Sequence, residues 1–91
     1  PRFSASFEAV LENAHGDMAD VLLAEVSLHG CRVQCAESWI RTGSFISIGI
    51  ADTAKLQAIV RWVRDGSVGM EFLRAIPDER TEWHGLMDAP F

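Results

Sequence analysis

The sequence lacks long hydrophobic runs and an excess of positive charge, and each absence excludes a class of protein. Its most apolar central stretch, residues 46–51, is far shorter than the roughly 20 residues of a membrane-spanning helix. No signal-peptide pattern opens the chain. The 91 residues carry 8 Lys and Arg against 13 Asp and Glu. Since binding long nucleic acids needs many cationic contacts, we expect no DNA or RNA partner. Since the hydrophobic runs are short, we expect no membrane insertion.

Cysteine is scarce, and the two that occur, Cys31 and Cys35, are badly spaced for a disulfide. Four positions of a strand span about 13 Å, beyond the roughly 7 Å limit between bridged Cα atoms. The chain also has no CxxC or HxxxH spacing that would suit zinc. We therefore expect two structural thiols, no metal and no cofactor, in the reducing environment of the cytoplasm.

Motifs that carry catalysis are also missing. The sequence contains no GxSxG, no HExxH and no glycine-rich phosphate loop. His15 and His29 fall in predicted turns and His84 in the tail, none of them beside an evident nucleophile. We expect a binding or structural protein rather than an enzyme.

Turn signals at intervals of about ten residues divide the chain into short strands. Asp65-Gly66 is the strongest hairpin signal, and the consecutive Val21, Leu22 and Leu23 indicate either burial on both faces or a bulge. The pattern predicts an all-β fold, a six-stranded antiparallel β-barrel that hides its strand edges. The predicted strands cover residues 5–12, 18–27, 31–36, 44–50, 56–64 and 67–73.

The two ends of this predicted single domain, residues 1–91, differ from the strands. Residues 1–6 are expected to be a flexible N-terminal segment. Pro77 suits the first turn of a helix, and Trp83 and Met87 follow at helical spacing. We predict a short C-terminal helix over residues 77–87 that caps the barrel. The alternative is an amphipathic segment that docks onto another domain.

A polar hairpin end is predicted at residues 25–30, which read EVSLHG. Glu25 and Ser27 are two residues apart, so on a strand they point to the same face. A carboxylate that accepts hydrogen bonds and a hydroxyl that donates or accepts suit a ligand edge rich in N–H donors, such as guanine. Gly30 is expected to supply the positive φ of a tight turn. The alternative is a polar turn without a ligand.

Residues 25–30 resemble the (D/N)xSxxG signature of the PilZ domain, a bacterial receptor for cyclic diguanylate (c-di-GMP). Residues 1–3 are similar to the end of the family's RxxxR motif, and residues 58–63 and 68–72 are similar to its last hairpin. Two positions depart from the pattern. Glu25 replaces Asp or Asn, and the first arginine of RxxxR would precede Pro1.

The resemblance implies a c-di-GMP site that includes Arg2, Glu25, Ser27 and Gly30. A guanidinium can bind a phosphate, stack on a purine or donate to guanine O6 and N7. The resemblance also makes Trp62 a candidate to flank the ligand. Core packing is the stronger expectation for its ring, with Arg61 solvated on the opposite face.

These observations favour a cytoplasmic c-di-GMP receptor module whose N-terminal segment folds over the ligand and so alters its partner contacts. Glu25 and the position of the first arginine motivate a second hypothesis. In it the chain is a degenerate PilZ-like adaptor that binds a protein partner or companion domain and not the nucleotide. A third hypothesis is a structural β-barrel fragment of a multidomain protein.

Overall fold

The computed structural model describes residues 7–50 and 53–87. The predicted N-terminal segment, residues 1–6 with Arg2, lies outside the described residues. Six strands precede one helix in the part of the chain that is described. The elements are β1 Phe7–Glu12, β2 Met18–Val26, β3 Gly30–Gln34, β4 Phe45–Gly49, β5 Leu56–Arg64, β6 Ser67–Phe72 and α1 Thr81–Met87.

The strands form a closed antiparallel barrel in the order β1-β2-β3-β6-β5-β4. Pairing of β1 with β4 closes it, with Val10 opposite Gly49 and Glu12 opposite Ser47. Every described strand thus has a partner strand on both sides, which protects its edges from pairing with a further strand. The predicted six-stranded antiparallel barrel is therefore confirmed.

Alternating side chains of the strands fill the barrel interior with aliphatic groups. On β2, Val21 is 3% and Leu23 is 0% exposed, whereas Leu22 between them is 39% exposed. The apolar run at these positions therefore does not reflect burial on both faces. A bulge does occur, but it follows the run: the register between β2 and β3 shifts between Leu23 and Glu25.

The C-terminal helix covers one end of the core. It begins at Thr81, four residues later than predicted, because the amide of Arg80 donates to the carbonyl of Pro77 and closes a separate turn first. Trp83 is fully buried and meets the Phe72 ring edge-on, with 5.8 Å between ring centroids. Leu86 is also buried in the common core. No helix in the described residues is long and apolar enough to cross a membrane.

Neighbouring leucines on β2 test this assignment of inner and outer faces. Leu23→Ala is expected to lower the free energy of unfolding by about 2–5 kcal/mol, because it leaves a cavity in the core. Leu22→Ala, the matched control one residue away, should cost less than about 1 kcal/mol. Urea unfolding measures both, and equal losses would contradict the observed faces.

Candidate functional site

A cleft of about 340 Å³ crosses the outer surface of four neighbouring strands, β2, β3, β6 and β5. Its volume lies in the lower part of the roughly 300–1,000 Å³ range of small-molecule sites. Four of the residues predicted from sequence meet there, and Arg2 lies outside the described residues. The lining comprises Glu25, Val26, Ser27, Gly30, Cys31, Arg32, Arg61, Trp62, Gly69 and Met70.

A bulge at Ala24 places Glu25 on the outer surface. Alternation from Val21 and Leu23 would turn residue 25 inward, but the pairing moves from Leu23 opposite Val33 to Glu25 opposite Arg32. The extra residue reverses the alternation for the rest of the strand. Without it, a carboxylate would enter an apolar interior, which is costly unless the charge is paired.

A second bulge, at Arg61, turns Trp62 outward in the same way. Val60 pairs with Met70 and Trp62 pairs with Gly69, so Arg61 is the extra residue of β5. The expectation that Trp62 packs in the core was therefore wrong, because it assumed unbroken alternation. The expectation that Arg61 lies on the opposite face was wrong for the same reason, since both side chains line the cleft.

The indole of Trp62 lies directly over Gly69. A Cβ built at Gly69 would be 2.2 Å from Cε2 and Nε1 of that ring, so only glycine permits this approach. The guanidinium carbon of Arg64 lies 5.4 Å from the ring centroid, within cation–π range. The ring is thus held against the barrel wall, with part of it lining the cleft.

The turn between β2 and β3 forms one end of the cleft. The amide of Ser27 donates to the carbonyl of Gly30 at 2.8 Å, and the Ser27 hydroxyl donates to the same oxygen at 3.2 Å. With its proton used locally, the Ser27 oxygen still has lone pairs that can accept from a ligand. His29 is exposed in this turn.

Gly30 is required for a different reason from the one predicted. Positive φ occurs at Gly16, Gly43 and Gly66 among the described glycines, but not at Gly30. A Cβ on Gly30 would instead lie 2.4 Å from the backbone oxygen of Met70 on β6. The glycine therefore allows β3 and β6 to approach closely beneath the cleft.

Two ion pairs flank the cleft. Arg32 Nε lies 3.9 Å from Glu25 Oε1, and Arg61 Nε lies 2.7 Å from Glu71 Oε1. All four side chains are substantially exposed, so each pair contributes little to folding stability. Both of the described guanidinium groups that line the cleft, those of Arg32 and Arg61, are thus paired with a carboxylate of the same protein.

Sequence reasoning missed Arg32, Arg61 and Gly69 as parts of this site. The sequence gives no local signal of the second bulge, because Ala58, Val60 and Trp62 continue an unbroken apolar alternation. The pairing of Arg32 with Glu25 follows from the short hairpin that joins their strands. Nothing in the local sequence of Gly69 indicates which side chain lies above it.

Neither metal binding nor a reactive thiol is indicated at the cleft. Burial raises the pKa of the Cys31 thiol to about 12, so it stays protonated near neutral pH. Cys31 and Cys35 are both free. No group of three or more His, Cys, Asp or Glu residues within the described ranges could hold a metal ion.

A larger cleft, of about 460 Å³, lies at the other end of β2. It is lined by the turn that contains Asn13 and His15 and by the loop that contains Trp39 and Arg41. None of the residues of the 25–30 hairpin contributes to it. Volume alone therefore does not identify the site, and the converging polar groups favour the smaller cleft.

Comparison with known families places this chain among small β-barrel binding modules. Residues 1–87 match the PilZ domain, and the chain belongs to that family. The match includes all six strands and the helix. A comparison with curated proteins finds no match.

The contact between Trp62 and Gly69 can be tested by a double-mutant cycle. Gly69→Ala is expected to lower the free energy of unfolding by about 1–3 kcal/mol, because the added methyl group overlaps the indole. In a Trp62→Ala background the same substitution should cost nothing, or stabilise by about 0.5–1 kcal/mol, since alanine is more restricted in the unfolded chain. An equal penalty in both backgrounds would contradict the contact.

Proposed function

We propose that this protein is a c-di-GMP receptor module and that the ligand binds in the cleft formed by β2, β3, β6 and β5. The single observation that carries the proposal is the convergence there of Glu25, Ser27, Arg61 and Trp62 in a member of the PilZ family. These groups supply hydrogen-bond acceptors, positive charge and an aromatic surface. A guanine nucleotide with two phosphates requires all three.

Glu25 and Ser27 are suited to the guanine edge. Guanine presents N–H donors on that edge, and a carboxylate can accept two of them. The Glu25 side chain is 72% exposed, so the carboxylate is accessible to the ligand and stays largely hydrated before binding. The Ser27 oxygen adds an acceptor beside it. This chemistry favours guanine over adenine, whose corresponding edge presents a different set of donors and acceptors.

Trp62 is suited to the face of the same base. Stacking of a base on an aromatic side chain is worth about 1–3 kcal/mol. Because Gly69 and Arg64 hold the indole in place, little side-chain entropy remains to be lost on binding. The indole is therefore held in one orientation before the ligand binds, and a base that stacks on the face next to Arg64 takes the place of that guanidinium.

Arginine side chains are suited to the phosphates. Arg32 and Arg61 line the cleft, and the family resemblance adds Arg2, which lies outside the described residues. Binding that recruits the segment containing Arg2 would alter what this face of the barrel contacts, which is how the proposed receptor would transmit its signal. The receptor would act in the cytoplasm, where both thiols remain reduced.

Calorimetric titration with c-di-GMP tests the proposed function. We expect saturable binding at or below tens of micromolar ligand, with much weaker binding of cyclic diadenylate because adenine lacks the guanine donor pattern. Trp62→Ala should weaken c-di-GMP binding by about 1–3 kcal/mol through loss of stacking.

Trp39→Ala is the matched control, because Trp39 lines the other cleft and should not affect affinity. Absence of heat from the unmodified protein at tens of micromolar c-di-GMP would contradict the receptor function. An equal loss in both tryptophan variants would place the ligand elsewhere.

Glu25→Asp tests whether the departure from the family signature weakens binding. Glutamate is one methylene longer than aspartate, which misplaces the oxygens and adds a rotatable bond. The shorter side chain should therefore tighten c-di-GMP binding by up to about 1.5–3 kcal/mol, the value of one charge-assisted hydrogen bond. The same calorimetric titration measures it. An unchanged or lower affinity would show that the length of Glu25 is not what limits binding.

A further inference from the structure

The guanidinium of Arg61 faces the cleft and forms an ion pair with Glu71. Arg61 is the unpaired residue of the β5 bulge and lines the cleft, whereas Glu71 lies on β6 just outside it. Arg61 Nε donates to Glu71 Oε1 at 2.7 Å, a normal charge-assisted hydrogen bond. Arg61 is thus bound to an anion of the same protein.

We propose that Arg61 is a phosphate-binding residue of the cleft and that c-di-GMP binds by replacing the Glu71 carboxylate on its guanidinium. This inference rests on the proposed function. In it, Glu71 acts as an internal competitor that sets the affinity for the ligand. The exchange substitutes one oxyanion for another on the same donors and therefore leaves no buried charge unpaired.

Glu71 is placed so that it can leave. Its side chain is 51% exposed and that of Arg61 is 58% exposed, so water solvates both partners and the pair is weak. Glu71 lies opposite Gly30 of the neighbouring strand β3. Because Gly30 has no side chain, it makes no side-chain contact with the Glu71 carboxylate. A carboxylate released from Arg61 can therefore rotate into solvent.

Arg61 differs from the other described arginines of this surface, because a ligand must replace a direct hydrogen bond to reach it. Arg64 lies against the ring of Trp62. Arg32 Nε lies 3.9 Å from Glu25 Oε1, beyond hydrogen-bond distance, so Arg32 can contact a phosphate while Glu25 binds guanine. Glu71 has no role in base recognition, so Arg61 can be released from it without loss of another ligand contact.

Calorimetric titration of c-di-GMP into a set of charge variants tests this inference. Glu71→Gln removes the competing charge with little change in shape and should tighten binding about two- to fivefold, the range expected for loss of an exposed ion pair. Arg61→Gln should weaken binding about ten- to a hundredfold, through loss of a charge-assisted contact. Glu8→Gln is the matched control, because Glu8 is an exposed glutamate on β1, three strands from β6 around the barrel.

The double variant separates direct competition from a general effect of charge. If Glu71 competes at Arg61, then Glu71→Gln gives no gain once Arg61 is also replaced by Gln. A gain of equal size in both backgrounds, or an equal gain from Glu8→Gln, would overturn the inference. If the unmodified protein binds c-di-GMP and neither Glu71→Gln nor Arg61→Gln changes its affinity, this inference alone is overturned. If no form of the protein binds c-di-GMP, the proposed function is overturned as well.

Discussion

The site depends on two interruptions of strand alternation in an otherwise regular barrel. In a closed barrel each side chain points either into the core or out to the surface, and successive residues alternate. One additional residue, Ala24 on β2 and Arg61 on β5, reverses that alternation at the point where each strand reaches the cleft. Glu25 and Trp62 face outward for this reason.

The same bulges allow the barrel to combine a buried apolar core with a polar cleft on its surface. Before each bulge the inward residues are aliphatic and fully or almost fully buried, as at Leu23 and Val60. After it, the chain can present polar and aromatic groups without placing them in the core. The barrel therefore keeps an apolar interior while two of its strands contribute to a polar cleft, which is why bulges are frequent next to functional sites.

Close backbone approach is the second requirement of the cleft. Gly30 brings β3 against the Met70 carbonyl, and Gly69 accepts the indole of Trp62. Both glycines act through the absence of a side chain rather than through an unusual φ angle. The charged groups above them are mutually paired, so the cleft has both cationic groups and the carboxylates that pair with them.

The sequence by itself predicted the six strands of an antiparallel barrel and the terminal helix, because alternation and turn residues act locally. The resemblance of residues 1–3, 25–30, 58–63 and 68–72 to family motifs predicted the family. The sequence also brought Glu25, Ser27 and Gly30 together, since they belong to one hairpin. Only the tertiary structure decided the orientation of Trp62 and Arg61. A bulge depends on pairing with another strand, and whether Trp62 faces the core or Gly69 follows from that pairing, not from the residue itself.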